Sequence, residues 1–257
     1  MVICFDAGNT DLVAGLFCDD AITDIIRIPY KRGLSAAEYY ELIKKYMQDS
    51  CIDTASVEGC LLCCVAKGTA DELSAAIERL FGSKPVIFKN DRTCRLDILT
   101  EDPYEVGTDI IAGCMAAKAQ FPMPCIVIDM GTATTMTAMD RNAKVLGVSI
   151  LTGVFTSMKA LKEKTGLPFE ENIEAQPKAI GTNTQKSIDS GLILGSAYAL
   201  DGLIQSFEEE IGHGECTIVA TGGVSQFIVP HCRSNIIVDN NLLLEGLYCY
   251  YKNSIIR

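Results

Sequence analysis

A chain of 257 residues with 48% apolar content can fill sizeable cores in two fused halves, being long for one domain and short for two independent ones. A formal charge of −11 with no visible basic patch argues against nucleic acid or an anionic membrane as the main partner. No apolar run reaches the ~20 residues of a membrane span, and the chain enters a strand without a charged and apolar leader, so a soluble, cytoplasmic protein is expected.

Val2-Ile3-Cys4-Phe5 reads as a strand, followed by the polar turn Asp6-Ala7-Gly8-Asn9-Thr10 and a second apolar stretch over residues 12–17. Residues 22–28 predict a third strand. Ser35-Ala36-Ala37-Glu38 has capping-box spacing and opens a helix that runs to Gln48. A strand is predicted over residues 57–65. Thr69-Ala70-Asp71-Glu72 repeats the capping-box pattern before a helix ending at Gly82, and residues 85–88 resume extended structure. The order in this half is β-β-β-α-β-α-β. Residues 90–103 lack a clear period and read as a connection, after which Glu105-Val106-Gly107-Thr108-Asp109 introduces a helix over residues 110–120, with Asp109 in a capping position.

The second half restarts with strands over residues 126–129, 135–140 and 144–149 and a helix over 155–164. The apolar segment 185–211 carries Gly191, Gly195, Ser196, Ala197 and Ala199. It admits two readings, an intramolecular core helix or a seam between two copies. Residues 216–221 predict a strand leading into Gly222-Gly223 and a short helix, and a last helix covers residues 241–252. Most of the twelve cysteines sit in apolar runs, where free thiols behave as small hydrophobes in a reducing compartment. Alternation along a strand accounts for Cys60-Leu61-Leu62-Cys63-Cys64 more simply than a metal clip does. His213 and His231 are the only histidines, which disfavours a His-based triad.

The chemistry concentrates in Cys125-Ile126-Val127-Ile128-Asp129-Met130-Gly131-Thr132-Ala133-Thr134-Thr135. Gly131 permits close backbone approach, so the amides of Gly131 and Thr132 and the hydroxyls of Thr132, Thr134 and Thr135 are expected to converge on an anion. The pattern of strand, Asp, any residue, Gly, polar turn and strand occurs twice, at Asp6/Gly8 and Asp129/Gly131. This internal repeat implies two similarly folded halves, residues 1–112 and 113–257, each offering a phosphate loop to a cleft. Gly222-Gly223 either lets backbone lie flat against adenine or makes a tight turn. Neither loop contains a lysine, so an acidic chain that binds a nucleoside triphosphate needs a divalent cation and a monovalent one.

A doubled Asp-x-Gly hairpin resembles the phosphate grip of the superfamily of actin, the sugar kinases and the heat-shock ATPases. That resemblance implies an α/β fold of two similar actin/ribonuclease H-like halves, each a mixed β-sheet flanked by helices, around a central nucleotide cleft. Six ordered blocks further resemble the type III pantothenate kinases: Asp6-Ala7-Gly8-Asn9-Thr10, Gly107-Thr108-Asp109, Asp129 to Thr135, Ile180-Gly181-Thr182-Asn183-Thr184, Ala220-Thr221-Gly222-Gly223 and Leu244-Glu245-Gly246-Leu247. The resemblance implies a homodimeric kinase that phosphorylates pantothenate with ATP to give 4'-phosphopantothenate, the first step of coenzyme A biosynthesis. It needs Mg2+ or a similar divalent cation and K+ or NH4+. In that reading Asp6, Ala7, Gly8, Asn9, Thr10, Asp11, Leu12 and Val13 hold ATP together with Thr132, beside Gly131, Gly222 and Gly223. Asp6 takes the divalent cation, Asp129 the monovalent cation, and Asp109 the acceptor's proton. Gly107, Thr108, Ile110 and Thr184 face the acceptor.

The departures from the family pattern lie on the acceptor side. Ile110 replaces an arginine, Thr100 a tyrosine, Thr152 a proline, and Cys63-Cys64-Val65-Ala66-Lys67 a Ser-Ser-Val-Val-Pro block. A kinase for another alcohol and a non-catalytic binding or regulatory protein are therefore the alternatives. Retention of Asp109 favours a kinase.

Overall fold

Ile3, Phe5 and Ala7 alternate with Cys4 and Asp6 along β1 (Val2–Ala7), and the first set is fully buried in one core. The protein is represented by a computed structural model, which describes every residue except 9, 10, 30, 66, 67, 175, 213, 256 and 257. One compact unit comprises Met1–Arg95, Tyr104–Ala116 and Leu243–Arg257; the other comprises Leu96–Pro103 and Ala117–Leu242.

In the first unit β1 pairs antiparallel with β2 (Asp11–Cys18), which pairs antiparallel with β3 (Ala21–Pro29). On its other side β1 runs parallel to β4 (Gly59–Cys64), and β4 to β5 (Val86–Ile87). The second unit repeats this order: β8 (Val145–Thr152), β7 (Ala133–Met139) and β6 (Cys125–Met130) are antiparallel neighbours, and β9 (Thr217–Thr221) and β10 (Ile237–Val238) follow β6 in parallel. Both five-stranded sheets are thus mixed, with β6 at the position of β1 and Asp129 at that of Asp6. The two sheets fall on either side of residue 112, whereas the last helix, α8 (Leu242–Ile255), packs with the first unit.

Helices α1 (Ala36–Asp49) and α2 (Ala70–Phe81) cover one face of the first sheet, where Tyr39, Ile43, Met47, Leu73 and Ile77 join Phe5 and Leu62. The predicted capping box of α1 is present at Ser35 and Glu38. That of α2 is not. Thr69 adopts φ −111°, ψ −22° instead of extended backbone and makes no side-chain cap bond. Glu72, which would complete the box, accepts the Ala36 N–H at 2.7 Å, drawn to the partial positive charge at the start of α1. On the opposite face α8 packs through Leu244 against Gly15 and through Tyr248, stacked on Phe17 at 4.2 Å. Gly246 of α8 abuts the Ala112 carbonyl of α3 (Thr108–Gln120), leaving no room for a Cβ. The block Leu244 to Leu247 is therefore a helix-packing element.

In the second unit the apolar segment 185–211 is not one α-helix. It forms α5 (Thr184–Asp189), a single π-helical stretch over Ser190–Leu194, and α6 (Gly195–Ile211). Ala197, Leu200 and Ile204 are buried with Ile126, Ile128 and Ile218, so α6 is a core helix. Gly195, Ala199 and Gly202 of α6 remain exposed, as does Gly191 of the π-helical stretch before it. The connection over residues 90–103 is also more ordered than its lack of period implies: Val145 donates to the Asp97 carbonyl at 2.9 Å and accepts from Leu99 at 2.8 Å, extending the second sheet beyond β8. All twelve cysteines are free thiols. Cys60 and Cys63, three apart on β4, face opposite sides of the strand. Among the described residues, no helix is long and apolar enough to cross a membrane.

Candidate functional site

The first hairpin turn is closed by the Gly8 N–H, which donates to the Asp11 carbonyl at 3.0 Å. Ala7 and Leu12 pair across the hairpin and are fully buried, so of the expected ATP residues these two can offer only backbone. Asp6 and Val13, one step further along, face the other side of the sheet, where both are half-buried. Asp11 is exposed. Asn9 and Thr10 lie outside the described residues, as do Lys67 and His213.

Across β1 and β4, Asp6 is in register with Cys63. Cys63 is fully buried, and its Sγ–H donates to Thr108 Oγ1 at 3.6 Å. Burial, with the neighbouring Asp6 carboxylate adding to it, pushes this thiol well above its ordinary range, and the Asp109 carboxylate reinforces the shift. Asp6 by strand register and Thr108 by hydrogen bond thereby adjoin one sulfur.

Because α3 begins at Thr108, Asp109 lies inside its first turn and is not the N-cap. Its Oδ1 accepts the Ile110 N–H at 2.9 Å. The carboxylate folds over Gly107, where a Cβ would stand 2.5 Å from Oδ1, so a larger residue there would displace the carboxylate from this position. Ile110 is half-buried and offers no side-chain donor. In the second unit Thr100 donates its hydroxyl to the Asp102 carbonyl at 3.1 Å.

The second hairpin turn is tighter than the sequence implies. Only Gly131 and Thr132 lie between the strands, and the Gly131 N–H donates to the Ala133 carbonyl at 3.0 Å. Thr134 and Thr135 belong to β7 and point to opposite faces, so the three threonine hydroxyls do not converge. Thr134 is buried beside an apolar cavity lined by Met130, Leu151, Val224 and Ile228. Thr135 stands in register with Asp129. The turn is fastened through one carbonyl to the start of α4 (Val154–Thr165): Thr156 Oγ1 donates to the Thr132 carbonyl at 2.6 Å and the Gly153 N–H donates to the same oxygen at 3.1 Å.

Asp129 is half-buried and in register with Thr135 on one side and Thr221 on the other. Thr135, Asp129 and Thr221 thus form a row of oxygen-bearing side chains on one sheet face, a hard donor set that fits K+ or NH4+. The two residues of the Gly222-Gly223 joint differ. Gly222 has φ +96°, and a Cβ would meet the Met130 backbone, so its glycine is demanded by the fold. Gly223 is exposed with open space around it. Thr184 is the half-buried first residue of α5, capped by Asn183 Oδ1, which accepts the Lys186 N–H at 2.9 Å.

Cys63, Gly153, Thr156 and Thr221 were missed as site residues by sequence reasoning. Thr221 could have been found by aligning the two strand repeats, since it stands to Asp129 as Cys63 stands to Asp6. Nothing in the spacing marks the fastening by Gly153 and Thr156.

A family model of type III pantothenate kinases matches residues 2–206. A type III pantothenate kinase of Exiguobacterium sp. strain AT1b is 32% identical over 254 residues, covering 99% of both chains. Among solved structures, a conserved protein of Campylobacter jejuni proposed to be a Baf family transcriptional activator superposes with a TM-score of 0.61 at 17% identity, covering 98% of each chain. The ROK hexokinase of Thermus thermophilus superposes with a TM-score of 0.55 at 12% identity over 98% of this chain and 99% of its own. These two likenesses concern the fold alone, an α/β architecture with two five-stranded mixed sheets of the same strand order. The chain belongs to the type III pantothenate kinase family, the kinases that phosphorylate pantothenate with ATP in coenzyme A biosynthesis.

Proposed function

We propose that Asp109 is the base through which this chain performs the family's reaction, transfer of the γ-phosphoryl group of ATP to the primary hydroxyl of pantothenate. The observation that carries this assignment is the carboxylate's setting. Asp109 is not the N-cap of α3, yet it is oriented by the Ile110 N–H and by the space that Gly107 leaves. Phosphoryl transfer asks mainly for positioned phosphates, neutralised charge and an oriented nucleophile. Asp109 accepts the hydroxyl proton as the new bond to phosphorus forms.

The Gly8 to Asp11 turn and the Gly131-Thr132 turn handle the nucleotide's phosphates, and Gly223 offers open backbone to the nucleoside. Gly107, Thr108, Ile110 and Thr184 serve the acceptor. Mg2+ is ordinarily held by one or two carboxylates together with phosphates and water, and Asp6 supplies a carboxylate of that kind. Such a cation neutralises phosphate charge. The Thr135–Asp129–Thr221 row would hold the monovalent cation. The exposed small residues Gly195, Ala199 and Gly202 on α6, with Gly191 on the π-helical stretch before it, support close approach of a second copy, hence a homodimer. Twelve free thiols support a reducing, cytoplasmic setting.

Mass spectrometry of reactions with ATP, Mg2+ and pantothenate tests the assignment of substrate. Phosphopantothenate is the expected product. Its absence, with phosphorylation of a different alcohol instead, would move the chain to the alternative of a related kinase.

A further inference from the structure

Across the strands, Asp6 has two direct neighbours, Val13 on β2 and Cys63 on β4. Val13 carries no polar side-chain atom, so Cys63 is the one cross-strand neighbour of Asp6 able to hydrogen-bond. In the second sheet the corresponding neighbours of Asp129 are Thr135 and Thr221, both hydroxyls. Cys63 is fully buried on the sheet face turned away from the α1/α2 core, and its Sγ–H reaches Thr108 Oγ1 at 3.6 Å. This bond ties the end of β4 to the first residue of α3, 45 positions away in the chain.

We propose that Cys63 is a positioning residue for the phosphoryl acceptor: by donating to Thr108 it fixes the first turn of α3 and so the direction of the Asp109 carboxylate. Buried beside Asp6 and within the field of Asp109, Cys63 supplies a neutral donor that adds no charge. An apolar side chain of similar volume would fill the space and leave Thr108 Oγ1 without this donor. A serine would supply a shorter but stronger donor at the same place. The inference rests on the proposed role of Asp109.

The test compares Cys63→Val, Cys63→Ala and Cys63→Ser with wild type in the full chain. The two apolar variants should lower kcat for pantothenate on the order of 10-fold, the equivalent of one lost hydrogen bond, with KM for ATP unchanged. Cys63→Ser should restore most of that turnover. In parallel, amide hydrogen exchange should show the Ile110 N–H, held by Asp109 Oδ1, exchanging several-fold faster in Cys63→Val than in wild type and near the wild-type rate in Cys63→Ser. Wild-type kcat in Cys63→Val overturns the proposal, as does an equal loss in the valine and serine variants, which would mean that packing alone matters. If wild type fails to phosphorylate pantothenate, the substrate assignment falls, and exchange at Ile110 still decides: protection equal in wild type and Cys63→Val overturns the role of Cys63.

Discussion

Gly153 lies against the carbonyl oxygen of Gly131 so closely that no Cβ fits between them. The start of α4 and the Gly131-Thr132 turn are therefore one piece of structure. A methyl group there would meet backbone, which cannot yield as a flexible side chain does. Gly153→Ala should destabilise the protein by about 1–3 kcal/mol and raise KM for ATP. Gly223→Ala, made in open space, should change stability by less than about 0.5 kcal/mol, so any rise in its KM for ATP would report the nucleoside. Thermal denaturation and ATP saturation curves of both variants check this.

Ile110 stands where the family pattern has an arginine. If that arginine serves the acceptor's carboxylate, its absence removes a charge-assisted contact worth roughly 1.5–3 kcal/mol. Ile110→Arg should then lower KM for pantothenate about 10-fold or more while barely changing KM for pantetheine, which lacks the carboxylate. A wild type that already strongly prefers pantothenate, with no gain from the arginine, would show that the carboxylate is held elsewhere.

The Thr135–Asp129–Thr221 row predicts a response to monovalent cations. Turnover should rise with potassium or ammonium and stay low in sodium at equal ionic strength. Asp129→Asn, which removes the charge and keeps the shape, should lose that response. Equal rates in all three salts would count against a cation at Asp129.

Burial pushes the Cys60 and Cys125 thiols up to about 12 from a reference near 9.0, with Cys216 adding to the shift at Cys125. The folded state holds these protons more tightly than the unfolded chain does. Their contribution to stability is therefore fully present below about pH 9 and is lost as pH rises toward about 12. Urea midpoints should be flat from pH 7 to 8 and fall steadily above pH 9. A midpoint that stays constant to about pH 10.5 would contradict the sign of this linkage.

The doubled strand–Asp–x–Gly pattern made the two-sheet repeat legible, because strand alternation and a glycine turn are local properties. Local rules failed where a distant group competed. Glu72 has the right spacing to cap its own helix but turns to Ala36 of α1. Thr134 and Thr135 look like one hydroxyl cluster with Thr132, until β7 is seen to begin at Ala133 and to send them to opposite faces. Gly222 and Gly223 are indistinguishable in sequence, yet only Gly222 is pressed against the Met130 backbone. By position alone Asp109 reads as a cap ahead of a base, and the earlier start of α3 at Thr108 removes the capping role. The π-helical stretch after Asp189 and the edge pairing of Val145 with residues 97–99 have no periodic signature.

The central claim is that Asp109 takes the proton of pantothenate's hydroxyl, and the rate of ADP release with pantothenate present and omitted, in wild type and Asp109→Asn, tests it most directly. Asparagine keeps an oxygen for the Ile110 N–H but cannot take up the proton. Wild type should release ADP only with pantothenate, and the variant should melt near the wild-type Tm while its turnover falls on the order of 100-fold or more. An Asp109→Asn protein that turns over pantothenate at the wild-type rate, or a wild type whose ADP release is indifferent to pantothenate, would contradict the account.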